Sequence, residues 1–159
     1  MSMAASSCNS KTKLYKYYVG FSTPSSNEIW VDKVIFDGKW TTPVGTMSCC
    51  WESAHVASFI NGRPLPKNVF VQWLDKSENV IFKASIKLDS NYEAQAESLP
   101  NYTVNHTDKE VEAIIYIIIG MGPNGMVTVW LSNAVSWRNN TGRVLNVIGQ
   151  KQAVDESGH

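Results

Sequence analysis

The stretch AIIYIIIGMGPNGMVTVWL, residues 113–131, decides the fold. Two apolar runs, Ala113–Ile119 and Met126–Leu131, flank the segment Gly120–Gly125. Asn124-Gly125 supplies the positive φ angles that a tight hairpin turn requires. The glycines invite comparison with a phosphate cradle, but that needs a helix N-terminus behind it. Here they lie between two strand-like runs, so the hairpin reading prevails. The longest apolar run, Ala113–Ile119, stops at Gly120, far short of the ~18 residues of a membrane-spanning helix.

Outward from this hairpin the pattern stays strand-like. Val69–Leu74 puts Val69, Val71 and Trp73 on one face, and Val80–Leu88 puts Phe82, Ala84, Ile86 and Leu88 inward. Asp75–Asn79 joins them as a polar loop, giving a second hairpin. Tyr15–Phe21 is aromatic and β-branched, and Thr23–Asn27 follows as a turn. Glu28–Phe36 carries apolar groups on both faces, as in a strand covered on two sides. Val44–Trp51 is a weaker strand and Val144–Ile148 a last one. Ser53–Ile60 has the pattern of a short helical turn, broken by Asn61–Pro66. Thr107-Asp108-Lys109-Glu110 has the spacing of a capping box for a second short helix. The expectation is a mainly β chain, an antiparallel β-sandwich or open barrel of seven to eight strands with one or two short helices. Residues 1–13 read as a flexible tail or tether, 14–150 as a single β-domain, and 151–159 as a flexible tail. Of the six tryptophans, most are expected in the core, with a ligand-stacking platform as the alternative for the rest.

Length and charge bound the function. At 159 residues the chain holds one domain and buries roughly 70% of its unfolded surface without needing a disulfide or metal. With 18% charged and 43% hydrophobic residues, disorder is excluded for its bulk. Lys+Arg and Asp+Glu balance at 14 each, which removes the electrostatic footprint of a general nucleic-acid binder. The balance is uneven along the chain. Lys11, Lys13 and Lys16 make a basic start, whereas Asp89–Glu112 carries Asp89, Glu93, Glu97, Asp108, Glu110 and Glu112 against Lys109 alone. These six carboxylates are too irregularly spaced for a calcium loop. They form either a solvated flank or a surface that steers a basic protein partner.

Chemistry-bearing motifs are sparse. No GxSxG, HExxH, GxxxxGK[ST] or helix-opening GxGxxG occurs, so no catalytic residue is assigned and no cofactor is expected. Cys8 stands alone, and Cys49 and Cys50 are adjacent. Neighbouring Cα atoms sit about 3.8 Å apart, below the ~4.4 Å usual for a disulfide, so the pair reads as two small buried thiols rather than a bridge. His55, His106 and His159 are too scattered to complete a zinc site, and no metal is expected. His55 lies close to Cys49, Cys50 and Glu52 in sequence, a pattern open to nucleophile chemistry but more simply that of an exposed histidine.

The ordered motifs resemble a family. Tyr17-Tyr18-Val19-Gly20-Phe21-Ser22-Thr23-Pro24 precedes Ile29-Trp30-Val31, then Cys49-Cys50-Trp51, then a Leu65-Pro66 turn leading to Val69-Phe70-Val71-Gln72-Trp73, and finally residues 122–131, GPNGMVTVWL. Together they resemble small bacterial lipoproteins known chiefly as a domain of unknown function. They are also similar to a neighbouring group that contains immunity proteins for type VI secretion lipase effectors. The resemblance spans about residues 15–148. It implies a periplasmic, lipid-anchored protein acylated at a cysteine, here Cys8 in Ala5-Ser6-Ser7-Cys8. No apolar stretch precedes Cys8, and Ala5 stands where such motifs have Leu. The implied function is non-enzymatic protein binding, as an immunity protein that occludes a co-encoded effector toxin, with the six carboxylates as candidate partner-binding residues. The alternatives are a structural or assembly lipoprotein of the envelope and a small-ligand binder with a Trp-lined cleft between sheets.

Overall fold

A computed structural model describes residues 12–156. The deciding stretch folds as its turn dictates. Tyr116–Met121 and Met126–Ser132 pair antiparallel, with Ile119 opposite Val129, and Asn124 and Gly125 both take positive φ, 63° and 81°. Gly125 also lies against the Phe82 ring, where a Cβ would come within 2.7 Å of it.

In chain order the elements are β1 (Tyr15–Ser22), β2 (Ile29–Phe36), β3 (Gly45–Met47), β4 (Val56–Arg63), β5 (Asn68–Asp75), β6 (Val80–Lys87), α1 (Tyr92–Glu97), β7 (Tyr102–Val104), β8 (Lys109–Val111), β9 (Tyr116–Met121), β10 (Met126–Ser132), β11 (Asn140–Thr141), β12 (Leu145–Gln152) and β13 (Val154–Asp155). One five-stranded sheet has the order β12-β10-β9-β1-β4, and the other β13-β6-β5-β2-β3. A small third sheet, β11-β7-β8, stands apart. The pairing is antiparallel except for β1 with β9, which run parallel with Gly20 opposite Ile118.

The two large sheets pack as a sandwich because their period-two apolar positions face each other. Tyr17, Val19 and Phe21 of β1 and Ile117, Ile119 and Met121 of β9 lie fully buried. They share one core with Val69, Val71 and Trp73 of β5 and with Phe82, Ala84 and Ile86 of β6. These side chains pack against one another between the two sheets. A second, smaller cluster of Ala54, Ile118 and Trp130 lies on the opposite face of the β9–β1 sheet.

Several expectations are corrected. Ser53–Ile60 contributes to strand β4, where Ile60 pairs opposite Tyr17 and turns inward, so long-range pairing overrides local helical preference. Thr107–Glu110 runs from the β7–β8 turn into β8, with Asp108 at φ 53° and Glu110 opposite Thr103 in the ladder. The helix lies earlier, at Tyr92–Glu97, marked by Tyr92 and Ala96 buried four residues apart. The C-terminal segment is not a tail from residue 151: Lys151 and Gln152 pair with Val127 and Met126, and Val154 pairs with Lys83. Backbone pairing needs no apolar side chain, so the polar composition there was a poor guide. Among the tryptophans, Trp73 and Trp130 are buried, while Trp30, Trp51 and Trp137 are exposed.

Candidate functional site

The outer face of the β9–β1 sheet presents Tyr18, Gly20, Tyr116, Ile118 and Gly120, together with Trp130 of β10. Glycine at two of these positions lets a loop lie flat on the sheet. A methyl at Gly20 would fall on the Ala54 side chain, and one at Gly120 would sit 2.5 Å from the Trp130 ring and 2.9 Å from that of Trp51. The loop that takes this space is 48–55. It is pinned to β1 by the Thr23 amide donating to Cys49 O (3.2 Å) and the His55 amide donating to Phe21 O (3.2 Å). Trp51 meets Trp130 edge to face, with ring centroids 4.9 Å apart.

At the crest of this loop Cys49 and Cys50 are bonded to one another. This corrects the expectation of two buried free thiols. The Cα spacing that argued against a bridge describes cysteines from separate parts of a chain, whereas these neighbours close an eight-membered ring with their Cα atoms 3.4 Å apart. Both are half-buried. His55, exposed, places Nδ1 3.6 Å from Cys50 Sγ, so the histidine close to these cysteines in sequence also lies beside them in the fold. While the sulfurs share a bond, neither is a thiolate nucleophile nor a metal ligand.

A second loop, 133–139, flanks the first. Fully buried Asn133 anchors its start, donating to Pro100 O and Gly142 O and accepting from the Val144 amide at 2.7 Å. The Ala54 amide donates to Val135 O at 2.9 Å, joining the two loops. Arg143 is the strut beneath them. Buried to 7% exposure, it donates to Ser132 Oγ (3.0 Å), Ala134 O (3.2 Å) and Glu52 O (2.6 Å). Burial lowers its pKa to about 10, with the Glu52 carboxylate acting in the other direction. Its guanidinium lies 4.8 Å from the centre of the Trp137 ring, whose Nε1 donates to Glu52 Oε1 at 3.1 Å. Trp137 is thus held from beneath yet 50% exposed. Between the loops opens a cleft of about 620 Å³ lined by Cys50, His55, Val135, Trp137 and Arg138 among others.

The acidic residues singled out from sequence lie elsewhere, all exposed. Asp89 precedes α1, and Glu93 and Glu97 lie on it. The Tyr15 hydroxyl donates to Glu93 (2.9 Å) and Glu97 (2.8 Å), and Lys13 pairs with Glu97. The Lys13 hydrogen bond, then that of Tyr15, holds the Glu97 carboxyl below its ordinary range. Glu112 joins Glu97 in lining a second cleft of about 520 Å³, whereas Asp108 and Glu110 belong to the β7–β8 hairpin. Cys8 lies outside the described residues.

Against this geometry stand the comparisons with known proteins. A family model described as a protein of unknown function (DUF2931) matches residues 4–157. The chain belongs to that family. No curated protein and no solved structure matches it. The DUF2931 match covers both loops, the disulfide and the Arg143 strut, so the cleft lies wholly within the family's span. Sequence reasoning missed Trp137, Val135 and Arg143. The available signal was a tryptophan and two charges set among Ser136, Asn139, Asn140 and Gly142, a composition unlike that of the strands that bury Trp73 and Trp130.

Proposed function

We propose that this chain is a non-enzymatic protein-binding domain of the bacterial envelope, lipid-anchored through Cys8, that neutralises a co-encoded toxic effector by covering its active-site mouth. The observation that carries the reading is the mounting of Trp137. A half-exposed indole is fixed by a hydrogen bond to Glu52 and by a buried arginine stacked against it. Tryptophan and arginine dominate interface hot spots, and an anchor held in place before contact loses little entropy on binding. Exposed Val135 beside it, at 43%, extends the apolar surface. The carboxylates at Asp89, Glu93, Glu97, Asp108, Glu110 and Glu112 serve this reading as steering charges around the domain rather than as the buried centre of contact. The Cys49–Cys50 bond supports an oxidising compartment such as the periplasm.

The test is co-purification of the full chain with the product of each adjacent gene. One product is expected to bind and to be toxic without this chain, and Trp137→Ala is expected to weaken binding by about 30-fold or more, a loss of about 2 kcal/mol. No binding by any neighbour, or unchanged affinity in Trp137→Ala, overturns the proposal. A second reading, a small-ligand binder, draws on the cleft's 620 Å³, within the roughly 300–1,000 Å³ of ligand pockets. Titration of lipids and sugars against tryptophan fluorescence separates the two, since saturable quenching is expected for this reading alone.

A further inference from the structure

We propose that Cys49, Cys50 and His55 form a reductively unmasked site for a thiophilic d¹⁰ cation of the zinc class. The three donor atoms, two Sγ and the His55 Nδ1, lie within 4.8 Å of one another. Two thiolates and one imidazole are the donor set that such cations prefer, and three protein ligands leave a fourth position open.

The geometry goes beyond proximity. Around a tetrahedral zinc with Zn–S of about 2.3 Å and Zn–N of about 2.0–2.1 Å, neighbouring sulfur and nitrogen ligands stand about 3.6 Å apart. Cys50 Sγ and His55 Nδ1 already stand at 3.6 Å. One edge of the tetrahedron is therefore in place, and the remaining movement is the separation of the two sulfurs to about 3.8 Å once their bond is cut. The backbone that carries them stays fixed meanwhile. Thr23 and Ser53 amides donate to Cys49 O and Cys50 O, and the His55 amide donates to β1. Cys50 and His55 line the open 620 Å³ cleft, so the fourth position faces a space that admits water or a ligand group.

The chemistry balances in two steps. A dithiol reductant attacks the Cys49–Cys50 bond and leaves oxidised to its own disulfide, while each protein sulfur takes up one proton. Binding of the divalent cation then releases those two protons as the thiolates coordinate. In the oxidised chain the sulfurs' bond excludes the metal, so redox state alone switches the site.

The experiment uses the full chain carrying Cys8→Ser, which removes the other thiol, with Zn²⁺ as the calorimetric probe and Co²⁺ as the spectroscopic one. After reduction by a phosphine and its removal, one equivalent of Zn²⁺ is expected to bind at least 100-fold more tightly than to the oxidised chain. Co²⁺ is expected to show a sulfur-to-metal charge-transfer band and tetrahedral visible bands. His55→Ala is expected to lower Zn²⁺ affinity by 10-fold or more. His55 is exposed, so this change leaves the fold intact, and an unchanged unfolding midpoint confirms that. Equal affinity of reduced and oxidised chains, absence of the charge-transfer band, or an unaffected His55→Ala variant overturns the proposal.

Discussion

Replacement of Gly20 by alanine tests whether the outer face of the β9–β1 sheet really seats the disulfide loop. The new methyl would fall on the Ala54 methyl and stand 2.8 Å from the Ala54 Cα. Carbon atoms rest at about 3.5–4.0 Å, so the loop backbone must move by about 1 Å. Alanine has no rotamer with which to escape, and the opposing Ala54 Cβ and Cα are fixed to the loop backbone. Overpacking of this kind costs about 1–3 kcal/mol. Moving the loop also weakens the His55 amide bond to Phe21 O and the Ala54 amide bond to Val135 O, each worth about 0.5–1.5 kcal/mol. Against this, removing glycine from the unfolded chain returns about 0.4–1 kcal/mol. The net expectation is a loss of about 2–4 kcal/mol, read as a lower urea midpoint at unchanged slope by tryptophan fluorescence. Ala54→Gly in the same chain removes one of the two clashing methyls and is expected to restore about 1 kcal/mol of coupling, measured by a double-mutant cycle. A Gly20→Ala protein within about 0.5 kcal/mol of wild type, the range of an ordinary surface change, refutes the seating of the loop.

Three further outcomes follow from other parts of the molecule. Gly125→Ala, which imposes a side chain at φ 81° and 2.7 Å from Phe82, is expected to cost about 2 kcal/mol in urea unfolding, whereas Asn124→Gly in the same turn stays within a few tenths. Arg143→Ala leaves Glu52 O without its donor and takes one of two donors from each of Ser132 Oγ and Ala134 O, which still bond each other, and is expected to cost about 2 kcal/mol and flatten the near-UV circular dichroism of Trp137; an unchanged midpoint contradicts the strut. Burial holds the Tyr17 and Tyr92 phenols above their ordinary value of 10.0, so the unfolded chain releases those protons first and stability falls as pH rises past 10; Arg143, lowered to about 10 by burial, acts in the opposite direction above that pH. Each net proton contributes a slope of about 1.4 kcal/mol per pH unit, so Tyr92→Phe is expected to flatten the alkaline decline by about that amount in urea midpoints taken from pH 9 to 12.

The sandwich was legible where a strand's own side chains carry the information. Val69, Val71 and Trp73, and Phe82, Ala84, Ile86 and Leu88, alternate inward in sequence and lie buried in the structure. The Asn124-Gly125 turn was equally legible, because positive φ is a local demand. Elements defined by their partners were not. Val56–Arg63 is a strand because β1 lies beside it, and Lys151–Gln152 because β10 does. The candidate site was the least legible part. His55 and the cysteines were visible as neighbours in sequence, but Arg143 is some ninety residues from Glu52, and only the folded sheet brings them to a 2.6 Å hydrogen bond. The acidic segment drew attention through composition, yet composition does not say that Glu93 and Glu97 already answer to Tyr15 and Lys13.

The placement of the two loops gives the site a direction as well as a position. The inner face of the β9–β1 sheet is committed to the core, with Ile117, Ile119, Val127 and Val129 fully buried. Its outer face is apolar too, through Ile118 and Trp130, and needs cover of its own. A helix would be the common solution, but here Gly20 brings the backbone of loop 48–55 into direct contact with the sheet, and Gly120 leaves room for the Trp51 and Trp130 rings. The cover is therefore thin. A thin cover cannot bury all of its own apolar groups, which is why Trp51, Val135 and Trp137 remain exposed above a rigid floor. Exposure at this face follows from how the sheet is covered, and it gathers the disulfide, the histidine and the mounted indole around one open cleft.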